Sequence, residues 1–184
     1  MKKVSVILAD GFEEVEALTV VDLLRRATIY VDTVSIMEDY TVHGAHGINV
    51  QTEDLVEEVS FVESDMIVLP GGMPGTKNLD AHAGGRRVVK GFYDEGKKIA
   101  AICAAPTVLG NMGLLKGKRV SCYPSMEKEI QGAVISGGAV TVDGNIITSR
   151  GVGTAIDFAL KLIEVLSGPA KAKEIAESIV YETK

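Results

Sequence analysis

Apolar runs of strand length, separated by stretches of helix length, constrain this chain more than any other feature. Val4-Ser5-Val6-Ile7-Leu8-Ala9 reads as a buried strand within Lys3 to Ala9. Asp10-Gly11 turns the chain, and Glu13 to Ala27 reads as an amphipathic helix with Val15, Leu18, Val21 and Leu24 on one stripe. Its first turn holds Glu13, Glu14 and Glu16 and its last Arg25 and Arg26, as the helix dipole prefers. Ile29 to Ile36, Met66 to Leu69 and Lys98 to Ile102 supply three more strands, and Arg87 to Glu95 a helix closed by Gly96. Strands alternating with helices predict a mainly parallel sheet covered on both faces.

The remainder fits the same plan. Tyr40 to Thr52 reads as a short hairpin, bending near Gly44 and Gly47. Strands are expected at Arg119 to Tyr123, Ala133 to Ile135, Val140 to Val142 and Ile146 to Thr148, with Asp143-Gly144 as a hairpin turn. A short helix follows Pro124-Ser125, and helices are expected over Gly153 to Leu166 and Ala170 to Ile179. With 184 residues and no linker or repeat, the expectation is a single domain over 1–184.

One junction has the spacing of a nucleophile elbow. In Ala101-Ile102-Cys103-Ala104-Ala105-Pro106-Thr107 a strand ends at Cys103 and a helix starts at once. Small residues two places on either side suit a sharp strand-to-helix turn. Pro106 suits a first helical turn, and a thiol at a helix start is favoured as thiolate. A buried structural cysteine fits the same stretch.

Sites in open α/β sheets form beyond the carboxyl ends of the strands. Glu13-Glu14-Val15-Glu16 and Pro70-Gly71-Gly72 fall there with Cys103. Gly71 and Gly72 can turn amide N–H groups toward an oxygen and, with the N–H of Ala104, form an oxyanion hole; an ordinary turn reads equally well. Glu16, one turn into its helix, could face the elbow as a carboxyl of raised pKa and act as general acid or base, or it could simply favour the helix start. Glu13 and Glu14 read as surface residues compensating the dipole.

Composition excludes several classes. A net charge of −6 argues against nucleic acid or anionic membrane as partner, and no apolar run is long enough for a membrane span. Two cysteines make no disulfide framework, and Cys122 reads as structural. Met1-Lys2-Lys3 runs straight into a strand, so no signal peptide is expected and a cytoplasmic protein is. The only histidines are His43, His46 and His82, too sparse for a metal site.

Taken together, Ala101 to Thr107, Leu69-Pro70-Gly71-Gly72, Gly11-Phe12-Glu13-Glu14-Val15-Glu16 and Thr148-Ser149-Arg150-Gly151 resemble the ThiJ/PfpI superfamily, in the branch of the parkinsonism-associated deglycase and its bacterial ThiJ-like relatives. The likeness runs from the first strand to the long helix after Arg150. It implies a flavodoxin-like three-layer α/β sandwich, usually a homodimer, with a reactive Cys103, a protonated partner Glu16 and oxyanion N–H groups at Gly72 and Ala104. Gly71, Tyr123, Arg150 and His46 become candidates for lining the site. The implied activity is a cofactor-free, metal-free glyoxalase or deglycase acting on α-oxoaldehydes or glycated adducts. The alternatives are an oxidative-stress sensor or chaperone working through Cys103 oxidation, or a small-molecule binding module.

The chain departs from the family pattern at three places. Tyr123 stands where this branch often has histidine, so the likeness does not extend to a Cys–His dyad. His46 stands where an arginine is frequent in the hairpin. Ala104 follows the cysteine where protease-like members carry histidine, which disfavours a peptidase or amidase, since no base adjoins the thiol.

Overall fold

The computed structural model describes residues 1–182. Its centre is a seven-stranded sheet. β1 (Lys3–Leu8) pairs in parallel with β2 (Tyr30–Ser35) on one side and β6 (Met66–Leu69) on the other. β7 (Lys98–Ile102) follows β6, also in parallel, and β11 (Ile146–Ser149) follows β7. The antiparallel β10 (Val140–Asp143) and the short parallel β5 (Asp54–Leu55) close the two edges. Counting only the long parallel strands, the order is that of a flavodoxin-like sheet.

Both faces are covered, as the near-continuous apolar strands require. Val4, Val6 and Leu8 point to one face, which α1 (Glu14–Arg26), α5 (Ala155–Ser167) and α6 (Pro169–Ser178) cover through Val20, Leu24, Phe158, Leu162 and Ile175. Ile7, Ile67 and Ile99 point to the other, under α2 (Gly75–Ala81), α3 (Ala83–Asp94) and α4 (Pro106–Asn111) through Leu79, Val89, Phe92 and Leu109. Fully buried side chains such as Leu24 and Phe158 each contribute about 2 kcal/mol by leaving water.

Three local expectations are corrected, and one helix is added. The buried stripe of α1 is rotated: Val15 and Leu18 are exposed, whereas Glu14, Glu16, Ala17, Val20 and Leu24 are buried. α3 starts four residues earlier than expected, because the His82 side chain accepts from the Gly85 amide and caps a first turn whose glycines hide it in the sequence. α2, just before it, carries no apolar periodicity that would announce it. Arg119 to Tyr123 is extended only at β8 (Arg119–Val120), which leaves the main sheet to pair with β9 (Val134–Ile135). The Tyr40 to Thr52 hairpin forms as expected, from β3 (Thr41–His43) and β4 (Asn49–Gln51).

Candidate active site

Register brings the marked segments together. Leu69 pairs with Ala101 and Ser149 with Ile102, so the chain leaves β6, β7 and β11 at one level, releasing Gly71, Cys103 and Arg150 side by side. The loop after β1 reaches the same place, since Glu13 N–H donates to the Gly71 carbonyl at 2.9 Å.

Cys103 sits on the sharp turn between β7 and α4, with φ at +64°, a region a residue with a side chain seldom adopts. Three hydrogen bonds hold it there. Its amide donates to the Ser149 carbonyl (3.0 Å), and its own carbonyl accepts the Tyr123 amide (2.8 Å) and the Cys122 thiol (3.1 Å). A strained conformation persists where its surroundings over-determine it. Cys122 is fully buried and packs with the core on the α3 side, while Cys103 borders the α1 side.

Glu16 is fully buried and meets the cysteine from α1. Its Oε2 accepts the Gly71 amide at 2.8 Å, and its carboxyl lies beside the Cys103 thiol, near enough for each to shift the other's titration. No N–H or O–H of the described residues satisfies Oε1. Burial pushes the Glu16 carboxyl up to about 7, against the pull of the Gly71 amide and the thiol. Burial, then the Glu16 charge, pushes the Cys103 thiol up to about 12, while the amides of Ala104 and Gly72, directed at the sulfur, lower it. The expected depression by a helix start does not prevail, because burial and then the neighbouring carboxylate outweigh it. Thiol and carboxyl therefore titrate as a pair, which sheds its first proton near neutrality and holds the second far into the alkaline range.

Glycine is required at the contact. A Cβ on Gly71 would stand 2.6 Å from the Cys103 Cβ and 2.8 Å from Glu16 Oε2. Gly72, at φ +92°, lies so close to the α1 entry that a Cβ would meet the Glu13 amide nitrogen at 2.3 Å.

The sulfur opens into a shallow pocket of about 470 Å³, lined by Glu13, Glu16, Gly72, Tyr123, Arg150 and the Gly151 to Thr154 segment among others. A larger hollow, about 820 Å³, lies between α5 and α6 and is lined by no cysteine. Of the residues expected at the site, Cys103, Glu16, Gly72, Tyr123 and Arg150 border the pocket. Gly71 lies behind it, bonded to Glu16, and Ala104 contributes its amide.

His46 and Glu14 are corrected. Neither borders the pocket, and Glu14 is not a surface residue but buried, accepting the His46 amide at 2.6 Å and facing His46 Nδ1 at 2.8 Å. With Glu13 they form the group of three carboxylate and imidazole donors that spacing did not foresee. Thirty-two residues separate Glu14 from His46, so no local signal could have paired them.

Fold and site together define a flavodoxin-like α/β protein with a strained cysteine elbow facing a buried acid. The DJ-1/PfpI family model matches residues 2–165. Drosophila melanogaster protein dj-1beta is 36% identical over 97% of either chain. Arabidopsis thaliana protein DJ-1 homolog B is 38% identical over 97% of this chain, which spans 41% of that longer relative. The solved structure of Toxoplasma gondii DJ-1, oxidized, superposes with a TM-score of 0.96 at 38% identity, covering 100% of both chains. The chain belongs to the DJ-1/PfpI family.

Proposed function

We propose that this chain is a cysteine-dependent, cofactor-free glyoxalase or deglycase, acting on α-oxoaldehydes or their adducts in the cytoplasm. The observation that carries the reading is the Cys103 sulfur set against a buried, half-titrated Glu16 under two amide donors in an open pocket. In the pair's one-proton state the sulfur holds the proton, and passing it to the Glu16 carboxylate leaves a sulfur anion held by the Gly72 and Ala104 amides. The sulfur adds to the aldehyde carbon, and the carbonyl oxygen takes the Glu16 proton, giving a hemithioacetal. Glu16, now a carboxylate, removes the hydrogen of that carbon as a proton and returns it to the neighbouring carbonyl carbon, while the hydroxyl proton of the first carbon passes to the oxygen of the second. One carbon is oxidised and the other reduced, so no external oxidant or reductant enters. The resulting thioester takes up water, the C–S bond breaks, and a hydroxy acid leaves.

Replacing Cys103 by Ser should abolish lactate formation from methylglyoxal while the circular dichroism spectrum and melting temperature stay close to wild type. Undiminished lactate production by that variant would overturn the reading.

A second reading is an oxidation sensor. The same two amides and a protonated Glu16 would hold a Cys103 sulfinate, and the oxidized Toxoplasma relative makes oxidation chemistry relevant. It requires Cys103 to oxidise before the buried Cys122 under mild peroxide, as read by peptide mass spectrometry. Among the described residues no helix is long and apolar enough to cross a membrane. We also propose that two copies pair through the exposed Val15 and Leu18 of α1 and the neighbouring Ile48.

A further inference from the structure

Among the described residues, Arg150 is the one cation bordering the pocket that holds Cys103. It follows β11 directly, and β11 pairs with β7 up to Ser149 opposite Ile102, so Arg150 and Cys103 leave neighbouring strands at the same level. The Ser149 carbonyl, one residue before it, accepts the Cys103 amide at 3.0 Å. Its position relative to the sulfur is thus set by backbone pairing.

The guanidinium is left without an acceptor. Its Nε is buried with no hydrogen-bond partner, and none of the described carboxylates forms an ion pair with it. A buried donor without a partner is costly, and each such exception calls for an explanation, a bound ion among them. The two carboxylates on the same pocket are engaged elsewhere. Glu13 Oε1 accepts the Val15 amide, and its Oε2 faces His46 Nδ1 at 3.5 Å. Glu16 is held by the Gly71 amide. Gly151 keeps the space above the sulfur free, since a Cβ there would stand 3.5 Å from the Tyr123 ring and 3.9 Å from the Cys103 sulfur.

We infer that Arg150 is an anion-recognition residue of this site, which favours carbonyl substrates carrying a carboxylate close to the reacting carbon and retains the carboxylate of a hydroxy-acid product. A guanidinium offers paired donors matched to a carboxylate, and Arg150 borders the pocket that holds the nucleophile. The inference deepens the proposed activity and rests on Cys103 as its nucleophile.

Two alkylating agents of one size test it without turnover. Iodoacetate is an anion and iodoacetamide is neutral; each transfers its CH2 carbon to the Cys103 sulfur and releases iodide. The ratio of iodoacetate to iodoacetamide rates at Cys103, followed by peptide mass, should fall by about tenfold or more in Arg150→Met, with Arg150→Lys between. An unchanged ratio in Arg150→Met would remove the inference and leave the nucleophile reading intact, whereas failure of both reagents to modify Cys103 would remove both. A second measurement uses the unaltered protein, in case the substitution disturbs folding. Lactate should slow modification of Cys103 by iodoacetamide, while lactamide at the same concentration should not. Equal protection by the acid and the amide would overturn the inference.

Discussion

The Glu16 side chain carries an electrostatic cost that should be readable in the whole protein. Its carboxyl titrates at about 7 in the fold and near 4.5 when exposed. A group raised in the folded state supports folding fully below pH 4.5, and that support is lost as the pH rises through 7. Glu16→Gln removes the titration, so relative to wild type it should gain up to about 3 kcal/mol between pH 4.5 and pH 8, measured by urea unfolding. The same substitution deprives the sulfur of its proton acceptor. Wild-type Cys103 alkylation should rise with a midpoint near pH 7, when the pair loses its first proton, and in Glu16→Gln the midpoint should move above the free-thiol value of about 8.5. Gly71→Ala tests the contact itself. The new methyl cannot coexist with the Cys103 Cβ at 2.6 Å, so the thiol and acid must separate. Loss of about a hundredfold in methylglyoxal turnover is expected, with a smaller change in melting temperature.

Among the elements, α1 ties the site to the β3–β4 hairpin. The Gly11 amide donates to the His43 carbonyl (2.7 Å) and the Ala45 amide to the Phe12 carbonyl (2.9 Å), stitching the loop before α1 to the hairpin. Glu14 completes the link by accepting the amides of His46 and, at 3.5 Å, Ile48. Despite burial, His46 and these amides hold the Glu14 carboxyl below the usual range, so the link is complete above that range and lost as the pH falls through the depressed value. Glu14→Ala should therefore speed hydrogen exchange at His46 by about tenfold or more at pH 7, an effect that shrinks in acid. The rotation of α1 has the same origin. Hydrophobic periodicity assigned Val15 and Leu18 to the core, but buried hydrogen bonds turn Glu14 and Glu16 inward and leave the two apolar side chains outside.

At the scale of the molecule, those outward residues acquire a consequence. Val15 is 48% exposed, Leu18 38% and Ile48 54%, an apolar group on one side of the chain, and such groups mark association surfaces. Sedimentation should find a dimer in which Leu18→Glu produces monomers with the fold retained; a monomeric wild type would end the pairing proposal. The parallel sheet covered on both faces was legible because Val4 to Ala9 and Met66 to Leu69 are largely apolar runs that alternate with helical stretches, whereas its flavodoxin-like order came from the likeness to a family. The elbow was legible because Cys103 lies between a strand run and Pro106 with alanines flanking it, and these are local constraints.

The sequence by itself determined which residues could serve: the strands and their covered faces, the turn at Cys103, and the glycines that let Glu16 and the α1 loop come close. Periodicity and turn chemistry act over a few residues, so they can be read without a fold. Tertiary structure alone decided the charges and partners. It set Glu16 against the sulfur and raised both groups through burial, drew Glu14 to His46 across thirty-two residues, and left Arg150 beside the nucleophile without an acceptor. Desolvation and proximity depend on what the whole chain packs around a group, and no short stretch of sequence contains that.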